Sequence, residues 1–174
     1  DPSVWDGSWA NNGWLQELPK PLTKITWDNA VYLSPHTAEE LGVLSTVHDE
    51  APLVNIRYGG RRLVNVPVWV APGHPDRSVT LHLGYGRARA GRVGGADGLT
   101  VGFNAYALVT SDAPTFGAGL EIERTGETGI IACTQDHQAI PDDRDIVRTH
   151  TVAQLVENVT HAPDKSHPLA ERGR

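Results

Sequence analysis

The sequence predicts a mainly β fold, a barrel or a sandwich with one or two short helices. Three observations predict it. Residues 53–70 alternate in character around a Gly59-Gly60 pair, turn-forming glycine and proline recur through the middle of the chain, and helical spacing is confined to two short stretches. Periodicity does not choose between barrel and sandwich.

The elements follow in order. Residues 1–21 are rich in Trp, Asn, Gly and Pro and show no period; Trp5, Trp9 and Trp14 predict a leader laid extended over a core or a partner surface. A strand is expected at residues 27–33. Ser34 then reads as an N-cap, Pro35 as the first helical residue and Gly42 as the stop of a compact helix carrying Ala38 and Leu41. Val54, Ile56 and Tyr58 alternate toward Gly59-Gly60, a two-residue hairpin turn that needs positive φ. The return strand puts Val64, Val66, Val68 and Val70 on one face, and Pro67, which lacks an N–H, predicts an edge or a bulge there. A turn at Pro72-Gly73-His74-Pro75 leads to a strand at residues 78–83, and further strands are expected at 105–110, 120–124 and 130–134. Thr151 reads as the cap of a terminal helix with Leu155, Val156 and Val159. The polar composition after His161 predicts fraying. The expected organisation is one domain over residues 1–150 and a helix with a polar tail over 151–174.

Composition narrows the function. Hydrophobic residues make up 39% and charged residues 21% of 174, as in ordinary globular domains. A formal net charge of −6 argues against a general nucleic-acid binder, which needs a basic face. No apolar run reaches the length of a membrane span, and no signal-peptide layout is seen. The single cysteine, Cys133, leaves no internal disulfide and no CxxC site. The absence of methionine, with aspartate at position 1, points to a piece of a longer chain.

The strongest candidate site is the stretch 83–95, where Arg87, Arg89 and Arg92 are threaded among glycines. Glycines let backbone N–H groups converge on an anion, and guanidinium forks suit phosphate oxygens or an acidic partner. On spacing alone a solvated surface loop has the edge, because the stretch matches no P-loop or dinucleotide fingerprint. Asn11, Asn12 and Trp14 combine amides with an aromatic plane, as a pterin or guanine would require, or else form a cap plugging the barrel. The histidines, His74, His82 and His137 among them, show no zinc spacing, and no metal is assigned. Asp136 beside His137 reads as a structural polar contact rather than a dyad, since Cys133 has no activating neighbour and no GxSxG is present. Glu39-Glu40 reads as a solvated helix face. Self-processing at Gly7-Ser8 is disfavoured because the pair lies outside the expected strands.

These segments, in this order, resemble the C-terminal domain of the molybdopterin oxidoreductase family. The carriers are Asn12-Gly13-Trp14-Leu15, Leu33-Ser34-Pro35, Ala38-Glu39-Glu40-Leu41-Gly42, the valine-rich residues 64–70, Pro72-Gly73 and Phe103-Asn104-Ala105. A narrower resemblance is to the molybdopterin-oxidoreductase-like iron–sulfur subunit of alternative complex III. It rests on Trp27-Asp28-Asn29-Ala30, Pro72-Gly73-His74, Leu83-Gly84-Tyr85-Gly86-Arg87, Gly102-Phe103-Asn104-Ala105-Tyr106, Thr110-Ser111-Asp112-Ala113 and Thr134-Gln135-Asp136-His137. The resemblance covers nearly the whole chain, roughly residues 1–148.

The resemblance implies a double-psi β-barrel. In catalytic members this domain closes over a molybdopterin guanine dinucleotide, and Asn12, Trp14, Tyr85, Arg87 and Asn104, with Arg89 of the same loop, would be the contacts. In the respiratory branch the barrel is a non-catalytic scaffold without that cofactor. The iron–sulfur clusters then lie elsewhere in the parent chain, the partners are other domains and subunits of a membrane-associated quinol-oxidising complex, and the setting is peripheral on the periplasmic side, or else cytoplasmic. The chain departs from the family at Ser45-Thr46-Val47-His48-Asp49-Glu50, where a Gly-Asp pair is usual, and in a longer glycine-rich loop.

Overall fold

The computed structural model describes residues 1–45, 50–95, 100–134 and 151–153. The chain divides into two compact units, residues 1–136 and 137–174. Of the second, Thr151, Val152 and Ala153 are described, the last two as helix; the remainder of the expected terminal helix and its polar tail lie outside the described residues.

The first unit is built on one mixed five-stranded sheet. Its strands are β1 (Val31–Leu33), β2 (Glu50–Tyr58), β3 (Arg61–Val70), β4 (Thr80–Leu81) and β5 (Glu121–Ile130), in the order β4-β1-β3-β2-β5. The β1–β3 pair is parallel and the other pairs are antiparallel. Among the described residues there is one sheet and not the two facing sheets of a sandwich, and its named ladders are open. Beyond them, the chain after β5 returns to the chain before β1. Thr26 N–H donates to the carbonyl of Ala132 (2.9 Å), and Thr134 N–H donates to that of Lys24 (3.1 Å), around an Ile25–Cys133 bridge.

Local signals explain the best-formed pieces. In helix α2 (Pro35–Glu40) the Ser34 hydroxyl accepts from Thr37 N–H at 3.0 Å and lies 2.6 Å from Asp76 Oδ1, tying the helix start to the turn after β3. The helix ends as the glycine predicts. Gly42 has φ +64°, its N–H reaches Glu39 O and Val43 N–H reaches Ala38 O, so both orphan carbonyls are satisfied. Gly59 and Gly60, at φ +55° and +75°, make the primed turn joining β2 to β3. Pro72-Gly73 turns as expected, with Gly73 at φ +86°.

The expected valine stripe is interrupted. Between the pairs Val54–Val66 and Ile56–Leu63, β3 carries one residue more than β2. Asn65 absorbs the bulge at φ +52°, and its N–H, lost to the ladder, donates to Asn55 Oδ1. The shift turns Val64 out to 57% exposure and brings Leu63 onto the core with Val66 and Val68. Pro67 pairs opposite Leu53, one residue before β1 joins the other side of β3, so the expected irregularity sits two residues earlier.

The core forms two clusters. Val31, Leu33, Ala38, Val43, Val54, Ile56, Val66, Val68 and Leu108 make the larger; Ile25, Ala30, Tyr32, Ala51 and Ile131 make the smaller. Successive residues of β1 alternate between them, which is why this short strand is buried at every position.

Five expectations need correction. Residues 105–110 do not form a strand: Asn104 accepts from Tyr106 N–H and starts a 3-10 turn at Ala105–Leu108. The strands expected at 27–33 and 78–83 shrink to β1 and β4, the first because Trp27, at φ +58°, breaks the extended chain. Conversely β5 runs on through Gly126 to Ile130. The leader is a chain of turns ending in helix α1 (Gly13–Glu17), not an extended cover; Val4 and Ala10 are its buried anchors, whereas Trp5, Trp9 and Trp14 are 69%, 57% and 85% exposed.

Replacing Ser34 with alanine removes the N-cap of α2 and the tie to Asp76. Chemical denaturation is expected to show a loss of about 1–2 kcal/mol with unchanged m-value; an unchanged midpoint would contradict this.

Candidate functional site

The glycine–arginine stretch and the leader lie against each other, and a polar core holds both. Asn29, fully buried, is the clamp. Its amide donates to the carbonyls of His82 (3.0 Å) and Phe103 (3.1 Å), and its oxygen accepts from Phe103 N–H (2.9 Å). The two ends of the loop, residues 82 and 103, are thereby held side by side. Gly86 N–H reinforces this by donating to Val101 O at 2.8 Å.

Beside the clamp, Lys20 is 2% exposed, and its ammonium donates to Asp28 O (2.6 Å) and the Tyr85 hydroxyl (2.9 Å). Asp1 Oδ2 stands 3.8 Å from Lys20 Nζ and 3.8 Å from His82 Nδ1, while Asp1 Oδ1 accepts from Ser3 and Val4 N–H. Burial dominates the electrostatics of this cluster. It lowers Lys20 to about 8 against the pull of Asp28, raises Asp28 to about 6, and lowers His82 to about 4 with help from the amino terminus and Lys20. Burial also raises Tyr85, with further pushes from Asp28 and Tyr32.

Glycines let the leader approach. A Cβ on Gly7 would stand 2.9 Å from Arg87 Nη1 and from Gly84 O, and one on Gly84 would meet Trp5 O at 2.8 Å and Gly7 N at 2.9 Å. Side chains at Gly91 and Gly94 would overlap Asn11 and the Ala10 carbonyl, and one at Gly86 would overlap the backbone of Asn104. The leader is tied down again where Tyr106 donates to Asp6 O (3.0 Å) and Gln16 to Ala10 O (3.0 Å). Close approach of neighbouring segments, together with positive φ at Gly7, Gly84, Gly86 and Gly91, accounts for these glycines.

The expected site residues therefore divide. Asn12 caps α1, accepting from Trp14 and Leu15 N–H, and Asn104 caps the 3-10 turn. Trp14, Arg87 and Arg89 stand at the surface, as does Arg92. Among the described residues no carboxylate lies within ion-pair distance of these arginines. Tyr85 is 2% exposed and turns inward to Lys20. Asp136 and His137 lie outside the described residues. Sequence reasoning missed Lys20 and the role of Asn29: a lysine between Pro19 and Pro21 reads as surface, and only the fold reveals its burial.

A second feature is a pocket of about 270 Å³ between β2, β4, the 3-10 turn and the 113–120 loop, lined by Tyr58, Val79, Leu81, Leu108, Phe116 and Leu120 among others. Its lining is mainly apolar and offers few groups to orient a ligand. Among the described residues no group of three or more His, Cys, Asp or Glu is placed to hold a metal ion, and no helix is long and apolar enough to cross a membrane.

Compared with known proteins, the chain matches no family model and no curated relative.

The Asp28 shift has a testable sign. Its folded pKa lies above that of an unfolded aspartate, so the folded state holds the extra proton between about pH 4 and 6. Stability attributable to this group is therefore lost as pH rises through that window. Relative to Asp28→Asn, the native chain should lose on the order of 2 kcal/mol between pH 4 and 6 in paired denaturation curves; a pH-independent difference would contradict the account.

Proposed function

We propose that this chain is a non-catalytic, double-psi-type barrel domain of a molybdopterin oxidoreductase-like iron–sulfur subunit. The subunit works in a respiratory quinol-oxidising electron-transfer complex. The domain is a scaffold that sits peripherally at the membrane-associated assembly, on its periplasmic side, and contacts other domains and subunits. The clusters that carry electrons belong to other parts of the parent chain.

One observation carries the choice of scaffold over cofactor holder. Where a dinucleotide would lie, between leader and glycine-rich loop, the space is filled by the chain itself: by neighbouring backbone at Gly7, Gly84 and Gly94, with the Arg87 side chain also at Gly7, and by the Asn11 side chain at Gly91. Tyr85, a contact in the cofactor-holding reading, is committed to Lys20. The barrel itself is supported by the return of residues 132–134 to residues 24–26, which links the chain beyond one edge of the sheet to the chain before β1.

The alternative is a molybdopterin guanine dinucleotide-binding domain of an active molybdenum or tungsten reductase or dehydrogenase. It is favoured by the exposed Arg87 and Arg89, whose guanidinium forks match pyrophosphate. Metal and pterin analysis of the native full-length subunit separates the two. The scaffold reading expects molybdenum and tungsten well below one per subunit; a stoichiometric amount of either, with pterin, would overturn it.

A further inference from the structure

The leader leaves unusual material at the surface. Within residues 5–22, Trp5, Trp9, Trp14, Leu18 and Leu22 are 69%, 57%, 85%, 54% and 89% exposed. Large apolar side chains scattered singly need no explanation, but five within one short segment do. The neighbouring loop carries Arg87, Arg89 and Arg92, each exposed. Gly7 packs against Arg87, Asn11 against Gly91 and Gly13 against Val93, so the tryptophan segment runs beside the arginine segment along its length.

We propose that this strip is a preorganised docking surface for an acidic face of another protein. Tryptophan and arginine are the residue types that concentrate binding energy at protein interfaces. The strip is fixed before any partner arrives, because glycine-permitted backbone contacts and the Tyr106–Asp6 and Gln16–Ala10 hydrogen bonds hold the leader on the loop. Its charge specifies the partner: Asp6 draws on Arg87, while among the described residues no carboxylate pairs with Arg89 or Arg92, so an acidic face complements the strip.

Two other occupants fit less well. A second copy docking face to face would set arginine strip against arginine strip. An anionic bilayer extends as a charged plane beneath the whole molecule, whose net charge of −6 opposes it. A protein patch comparable to the screening length of about 8 Å meets mainly the local arginines. The inference goes beyond the electron-transfer reading and does not rest on it, since it is read by docking and not by redox content.

The test uses the protein in its native form carrying Arg89→Lys, expressed in its own cells. A zero-length carbodiimide cross-linker joins the introduced amine only to a carboxylate at ion-pair distance, and peptide mapping identifies both ends. The expected result is a cross-link to Asp or Glu of one other polypeptide, its yield falling at least fivefold when Trp9→Ala is added. In parallel, the isolated chain is mixed with 3:1 phosphatidylcholine–phosphatidylglycerol vesicles at 0.15 M salt, and its tryptophan emission is expected to stay unshifted. Four results would overturn the proposal: a yield no higher than that of the Arg62→Lys control on the hairpin, a yield indifferent to Trp9→Ala, a cross-link only within the chain or to a second copy, or a blue shift with co-sedimentation on the vesicles. Molybdenum content does not enter any of these outcomes.

Discussion

The close approach of the leader to residues 84–94 is the constraint on which the rest of the site depends. The loop is squeezed from two sides, by residues 5–11 on one and by residues 101–104 on the other, and it has a glycine at each point where a side chain would collide. Backbone packed this tightly gains many small dispersion contacts and excludes water, but it tolerates no added carbon. Position is thereby imposed on the neighbours as well. Arg87, Arg89 and Arg92 alternate with the packed glycines, so the same contacts that bury the loop's backbone leave its guanidinium groups at the surface.

Beneath that contact lies a polar core that an apolar one could not replace without losing direction. Asn29 reads two carbonyls and one N–H on separate segments, a pattern only a carboxamide in one orientation satisfies. Lys20 does similar work from the leader side, spanning Asp28 and Tyr85. Burying such groups costs stability unless every bond is made, and the shifted proton affinities of Lys20 and Asp28 record that cost. The return is specificity of arrangement: leader, loop and residue 103 can dock in one register only.

Much of the scaffold was legible in local sequence signals, because those signals act within a few residues. Ser34, Pro35 and Gly42 bracket α2 as read, Gly59-Gly60 turns the hairpin, and Pro72-Gly73 turns the chain after β3. The failures are tertiary. Val64 looked like one of four core valines until the bulge at Asn65 rotated it outward. Residues 105–108 carry strand-like composition, yet the Asn104 side chain captures Tyr106 N–H and winds them into a turn. The tryptophans of the leader were expected to cover something; they are exposed, and small residues, Val4 and Ala10, are the anchors. At the site, the adjacency of leader and loop was expected, whereas the reason for the glycines was not. A glycine that frees an N–H and a glycine that admits another backbone are identical in sequence, and only the neighbour's position separates them.

Gly94→Ala tests the central constraint most directly, because Gly94 adopts no positive φ and the substitution adds only a methyl group aimed at the Ala10 carbonyl. Amide hydrogen exchange of native and substituted chains is the measurement. The account predicts that the leader amides of Gly7, Ala10 and Asn12, each hydrogen-bonded within the leader turns, lose protection at least tenfold, while those of the β2–β3 hairpin keep theirs. Unchanged protection across the leader would contradict it, since the added methyl would then have found room where the structure allows none.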